Sequence, residues 1–334
     1  MNPQQQIMQV ATGYMASSAL YIAAHLKIAD LLAVGSKSTA ELAASTKTME
    51  DPLYRVLRLL VSLGIFEENA PRQISLNLTA QALRTDLPGS MHGMAVFLPD
   101  PFHFRCYAEL LHCVQTGKPA VDKVMKMPIF EYLAGDPEYS TIFNNAMTAL
   151  SAPVIGAALE AYDFSVYNSI VDVAGGHGEV LMAILQACPN SSGVLADLEH
   201  VVQGSIPRIS SAGLQQRCKA VTCDFFKAVP EGGDAYVMKH IIHDWDDERA
   251  IVILKNIASA MGNKKGHVVL LESVIPSGPE PDLGKFIDIE MLALPGGKER
   301  TREEFTALFT AAGFQLTKVV PTASPLSVVE AIRV

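Results

Sequence analysis

The chain has 334 residues, 49% of them apolar and 18% charged, enough for two domains with sizeable cores. Its formal net charge of −9 and pI of about 5.5 disfavour nucleic acid and anionic membranes as electrostatic partners. Lys, Asp, Gly or Pro interrupts every apolar run, so no membrane span is expected. The opening MNPQQQIMQ lacks the basic start and apolar core of a signal peptide, and the five cysteines (Cys106, Cys113, Cys188, Cys218, Cys223) contain no C-x-x-C pair, which together predict a cytoplasmic protein with reduced thiols.

Apolar residues at helical spacing run from about Met8 to Leu32, with a break at Gly35. Ser38 and Thr39 offer N-caps to a short helix, ELAAST; Asp51-Pro52 opens a second, PLYRVLRLLVSLG, which Gly64 stops. Ile65–Glu68 and Gln73–Leu76 then alternate like two short strands around the turn Asn69-Ala70-Pro71. Two helices and a two-stranded wing form a winged-helix-like arrangement, which raises the question of DNA binding. Through Asp100, however, seven Lys/Arg face eight Asp/Glu, so the basic surface that supplies non-specific DNA affinity is missing. A protein–protein role is expected for this module, residues 1–98.

Residues 99–163 read as a connecting segment of helices rich in Phe, Met, Tyr and Ala, punctuated by Gly117-Lys118-Pro119 and Gly135-Asp136-Pro137. Phe143, Met147 and Ser151 recur at i, i+4 and i+8 and share one helical face. Core packing accounts for each alone; Phe and Met would also suit an apolar ligand pocket.

From residue 164 to 334 strands and helices alternate, the signature of an α/β, Rossmann-like parallel sheet. The expected strands are Ile170–Val173, Ser192–Ala196, Cys218–Val221, Ala235–Lys239 and His267–Ser273, closed by a terminal antiparallel hairpin, FQLTKVVP and LSVVEAIRV. The first strand breaks into Ala174-Gly175-Gly176-His177-Gly178 ahead of an amphipathic helix, which brings backbone N–H groups and a helix N-terminus to a cofactor. A dinucleotide G-x-G-x-x-G beginning at Gly176 would need glycine at Leu181, and one beginning at Gly175 would need it at His177. The looser loop suits S-adenosylmethionine (SAM), where no pyrophosphate is approached. Asp197, nineteen residues after Gly178, can accept from both ribose hydroxyls, and Asp224-Phe225 after the third strand can meet the adenine edge and face. Asp224 alone reads equally well as a turn aspartate.

Just after the fourth strand stands MKHIIHDWDDE, where the carboxyl ends of an open sheet place chemistry. His243 has a side chain able to take a hydroxyl proton near neutral pH. His240, three residues earlier, reads as an ordinary surface histidine, and no third and fourth ligand at recognisable spacing joins the pair, so no metal is expected. Asp246, Asp247 and Glu248 suit the first turn of the next helix.

These motifs together resemble the plant- and bacterial-type small-molecule O-methyltransferases, class I SAM-dependent enzymes that include caffeic acid and hydroxyindole O-methyltransferases. The resemblance covers nearly the whole chain, through IFEYLAGDPE, FNNAM, VDVAGGHGE, CDFF, MKHIIHDWDDE, LLESVIP and PGGKERTREEF. It implies a catalytic base at His243 flanked by Glu272 and Glu299, and SAM-binding residues at Asp172, Gly175, Gly176, Gly178, Asp197, Leu198, Asp224, Phe225 and Lys239, with S-adenosylhomocysteine (SAH) as product. It also implies an acceptor pocket at Phe143, Met147, Asp244, Met291 and Leu294, and a homodimer formed through the N-terminal module. An N- or C-methylating or otherwise repurposed SAM-binding member, or a SAM-responsive winged-helix regulator, are the alternatives. Two positions depart from the family pattern. Ala174 replaces a usual glycine, which SAM binding should survive if the backbone there is not at positive φ. Leu198-Glu199 replaces a common Leu-Pro and should alter only the turn.

Overall fold

In the computed structural model, which describes residues 2–334 apart from the side chains of residues 148–150, the chain forms two units. The first runs to Ala108 and adds Phe130–Ser151; the second consists of Glu109–Ile129 and Ala152–Val334. Residues 99–163, read above as one connecting segment, are divided between them.

In the first unit the apolar N-terminal stretch forms three helices, Pro3–Ala11, Gly13–His25 and Ile28–Leu31. Thr12 ends the first and begins the second, and Lys27 at φ 52° turns the chain before the third. Ser38 starts the helix Thr39–Thr46 through a capping box with Glu41. The helix Glu50–Ser62 buries Leu53, Leu57 and Leu60 at i, i+4 and i+7, one stripe facing Ile28, Leu42, Phe66 and Ile74 in the core of this unit. Strands β1 (Lys37–Ser38), β2 (Glu67–Ala70) and β3 (Gln73–Ser75) form an antiparallel wing with β3 in the middle. The two-residue β1 is too short to show a pattern in sequence. Arg72 of the wing is paired with Glu50 and Asp51, each at 3.1 Å, so its charge is already matched.

The second unit is built on seven strands: β4 (Ser169–Val173), β5 (Ser192–Asp197), β6 (Cys218–Thr222), β7 (Ala235–Lys239), β8 (His267–Glu272), β9 (Phe314–Pro321) and β10 (Ser327–Arg333). Every bound lies within one residue of the sequence reading. Their order is β6-β5-β4-β7-β8-β10-β9; the five from β6 to β8 are parallel, and β10 runs antiparallel to both its neighbours. Alternation along β4 sends Ile170 into one core with Leu181, Ile184 and Leu195, and Val171 and Val173 into the other with Ile253, Ile257 and Phe309. The chain lays β5 and β6 to one side of β4, then returns to lay β7 and β8 on the other. That reversal opens a crevice beyond the carboxyl ends of β4 and β7.

The helix Pro137–Ala161 corrects one expectation. By length and composition alone it could cross a membrane, because Pro153 and Gly156 sit within it without ending it. The five cysteines are buried thiols.

Candidate active site

The loop after β4 packs tightly. Asp172 is 1% exposed and points with Ile170 toward the helix Glu179–Ala187. A Cβ on Gly175 would stand 2.4 Å from both Asp172 Oδ2 and Leu195 Cδ1, so only glycine lets the chain pass there. Gly176, at φ 60°, faces open space, and its N–H donates to Asp197 Oδ2 at 2.8 Å. The Leu198 N–H donates to Asp197 Oδ1 at 2.7 Å, so the carboxylate at the end of β5 ties the two loops together. Burial pushes the Asp197 carboxyl up against these two amides. Burial also raises Asp172, to about 7, with the Leu181 amide opposing. Ala174 takes φ 55°, which meets the condition under which its methyl group was expected to matter: a left-handed backbone that favours glycine.

Asp224 does hold its own turn, accepting from the Phe226 N–H at 3.1 Å, and it also pairs with Lys227 at 2.9 Å, which holds its carboxyl low. Phe225 lies against Phe226 (4.8 Å between centroids) and Trp245 (6.0 Å), forming an aromatic wall after β6. Lys239 ends β7; burial pulls its ammonium pKa down while Glu179, Asp172 and Glu272 resist. The fit to SAM is chemical. Asp172 Oδ2 is a buried acceptor without a hydrogen-bond partner, suited to a cationic amino group, beside an open glycine backbone and a ribose-type carboxylate.

His243 sits in the 3₁₀ turn Ile242–Asp244 and is buried. Its Nδ1 lies 2.7 Å from Glu299 Oε1 and 3.8 Å from Glu272 Oε2, and its Nε2 lies 3.5 Å from Asp244 Oδ1. Glu272, at the end of β8, holds the turn: its Oε1 accepts from the backbone N–H groups of Ile241, Ile242 and His243 at 3.0, 2.9 and 3.4 Å. Burial alone would lower the imidazole pKa; Glu272, then Asp244 and Glu299, outweigh it and hold it up at about 10. The same burial lifts Glu272 to about 7 and Asp244 to about 6. By distance His243, Glu272 and Glu299 could also ligate a cation, so spatial neighbours supply a third ligand that sequence spacing did not reveal. Here Oε1 of each glutamate is engaged by amides or the ring, and each Oε2 is buried without a hydrogen-bond partner. His240 is not a surface histidine: it is half-buried and lies parallel to His243.

Two residues that sequence reasoning missed build this turn. Arg300, 1% exposed, donates to the carbonyls of Ile242 and Trp245 at 3.0 and 2.8 Å and pairs with Asp247 at 2.9 Å. Gly297 abuts the His243 carbonyl, and the Lys298 N–H donates to that same oxygen at 2.9 Å. The signal was present in GGKER, whose glycine and arginine flank Glu299. Asp246 caps the helix Asp247–Met261, placing Asp247 and Glu248 in its first turn as expected. The helix Leu283–Ala293 carries Asp288, which accepts from the Glu299 N–H at 2.9 Å, and buries Met291 beside Leu294. Phe143 and Met147 belong to the first unit, where Phe143 meets Phe97 edge-on at 5.7 Å and the Met147 carbonyl accepts from the Ser151 hydroxyl at 2.9 Å.

Comparison with known proteins converges on one family. A family model described as an O-methyltransferase domain matches residues 107–315, and one described as an O-methyltransferase dimerisation domain matches residues 8–90. The chain is 42% identical over 325 residues to phenazine O-methyltransferase PhzM of Lysobacter antibioticus, covering 97% of this chain and 95% of that one. It is 32% identical over 330 residues to the 8-amino-8-demethylriboflavin N,N-dimethyltransferase of Streptomyces davaonensis, covering 98% and 94%. The SAH-bound structure of CalO1, a methyltransferase in calicheamicin biosynthesis, matches with a TM-score of 0.86 at 32% identity, covering all of both chains. The chain therefore belongs to the O-methyltransferase family, SAM-dependent enzymes with a class I methyltransferase fold and an N-terminal dimerisation domain.

Proposed function

We propose that this protein methylates a hydroxyl of a small aromatic or polyketide-like metabolite, with His243 as the general base. The 2.7 Å contact between His243 Nδ1 and Glu299 carries the reading. A carboxylate facing Nδ1 makes that nitrogen the donor and leaves Nε2 to receive a proton. Glu272 pins the backbone on which the ring is mounted. Together they hold the base and stabilise the imidazolium that proton uptake creates.

Asp172, Gly175, Gly176, Gly178, Asp197, Leu198, Asp224, Phe225 and Lys239 would hold SAM. When bound, it supplies a methyl group on an already activated sulfonium, and SAH is the product. His243 takes the hydroxyl proton at Nε2, so that the acceptor oxygen can attack in line without a metal. Phe143, Met147, Asp244, Met291 and Leu294 are assigned to acceptor binding, where holding oxygen and methyl in line supplies much of the rate. The enzyme works as a cytoplasmic homodimer through its N-terminal domain, without a nucleic-acid or membrane partner.

Methylation at nitrogen is the second reading, supported by the relative that acts on an aminoflavin. Incubation with methyl-labelled SAM and matched hydroxyl and amino forms of one aromatic scaffold separates the two. Labelled methyl ether is expected; label only on the amine would overturn the O-methyl reading.

A further inference from the structure

The last residue of β7 hands over to His240, whose N–H still donates to the Leu271 carbonyl of β8 at 3.2 Å. The chain then leaves the sheet abruptly. His240 takes φ 53°, the left-handed region that glycine enters most readily and that, among other residues, asparagine, aspartate and histidine enter most often. That reversal puts two residues three apart in sequence face to face. The imidazoles of His240 and His243 have centroids 4.8 Å apart and planes inclined by only 8°.

Glu299 holds Nδ1, Asp244 Oδ1 lies 3.5 Å from Nε2, and Glu272 holds the backbone amides of the turn. His240 adds a flat partner against the face of the ring. We infer that His240 is a positioning residue of this methyltransferase, its ring a platform that sets the plane of the His243 imidazole and so the direction of Nε2. The inference rests on the proposed role of His243 as base. His240 itself is poorly suited to proton transfer: burial, then the neighbouring His243 and Lys239, pull its pKa well below the ordinary histidine value, so it adds no positive charge to the stack.

The test is a set of substitutions read as kcat with an established acceptor, with melting temperature and SAM affinity measured alongside. His240→Phe keeps a flat face, His240→Leu keeps bulk without one, and His240→Asn keeps a residue tolerant of the left-handed backbone while removing the stack. Leu and Asn are expected to lower kcat about tenfold with SAM affinity within threefold of the parent, and Phe to stay within threefold of the parent kcat. Equal rates for Leu and Phe would reduce the contact to packing and overturn the proposal, as would parental rates in His240→Asn or a Phe variant as slow as Asn. Should Leu or Phe fail to fold, the Asn variant decides between loss and retention. His243→Ala is run in parallel: if it retains activity the base assignment fails, whereas an inactive His243→Ala beside fully active His240 variants removes only the platform.

Discussion

A Cβ on Gly297 would stand 1.9 Å from the carbonyl oxygen of His243, so the loop before Glu299 and the turn carrying His243 fit only with a bare backbone at that position. The same carbonyl accepts from the Lys298 N–H, and Arg300 donates to the carbonyl one residue before it. Gly297→Ala must therefore push the turn and the loop apart. The expected result is a loss of roughly 1–3 kcal/mol of stability, the usual cost of overpacking. A fall in kcat of at least about tenfold should accompany it, because displacement of a positioned group costs rate directly. Thermal melts and steady-state kinetics check both, and an unchanged kcat would separate this loop from catalysis.

The raised pKa of His243 sets a pH dependence. A base raised this far above the ordinary histidine value is mostly protonated at pH 7, and its neutral fraction grows with pH until the pH reaches its pKa. For an acceptor with an ordinary phenol pKa, kcat/KM is expected to climb through pH 7–9. For a phenol already ionised at neutrality the climb should flatten, since its anion can bind beside the imidazolium. His243→Ala should lower turnover of the ordinary phenol by roughly 10²–10⁴-fold and that of the acidic phenol by less. Equal losses for the two acceptors would argue against a proton-transfer role.

Asp172 is buried with one oxygen unpartnered and a pKa near 7, against about 3.9 in an unfolded chain. Its neutral form is the one the fold accommodates, so this contribution to stability is complete below about pH 4 and is lost as the pH rises through 7. The difference is roughly 4 kcal/mol in favour of a neutral side chain at alkaline pH. Asp172→Asn should accordingly raise the melting temperature of the ligand-free protein at pH 8 more than at pH 5. It should also abolish most of the stabilisation that SAM gives the parent. Calorimetry with and without SAM measures both; undiminished SAM affinity in the variant would misplace the cofactor site.

Ala174 at φ 55° holds a conformation that costs an alanine about 1 kcal/mol relative to glycine. Ala174→Gly is expected to recover about that much stability, offset in part by the greater freedom of glycine in the unfolded chain. SAM affinity should stay within threefold, because the loop amide of Gly176 and its bond to Asp197 are already in place. A weaker SAM complex in the glycine variant would mean that the alanine methyl contacts the cofactor.

Much of this protein is legible in one dimension. Strands β4, β7 and β8 announce themselves because a parallel sheet buried on both faces demands near-continuous apolar runs, and a glycine-rich break marks the end of β4. The order of His243, Glu272 and Glu299 in recognisable motifs allowed the three to be named together, and the helix starting at Asp247 was readable from its acidic first turn. Tertiary structure decided the rest, since burial and close approach have no sequence period. Only folding shows that Ala174 and His240 lie in the left-handed region, that Asp172 and the glutamates keep unpartnered oxygens, and that Arg300 reaches back to the carbonyls around His243. A stack between His240 and His243 depends on a backbone reversal that neither residue's chemistry requires by itself, and so it becomes visible only once the sheet has brought Glu272 beneath the turn.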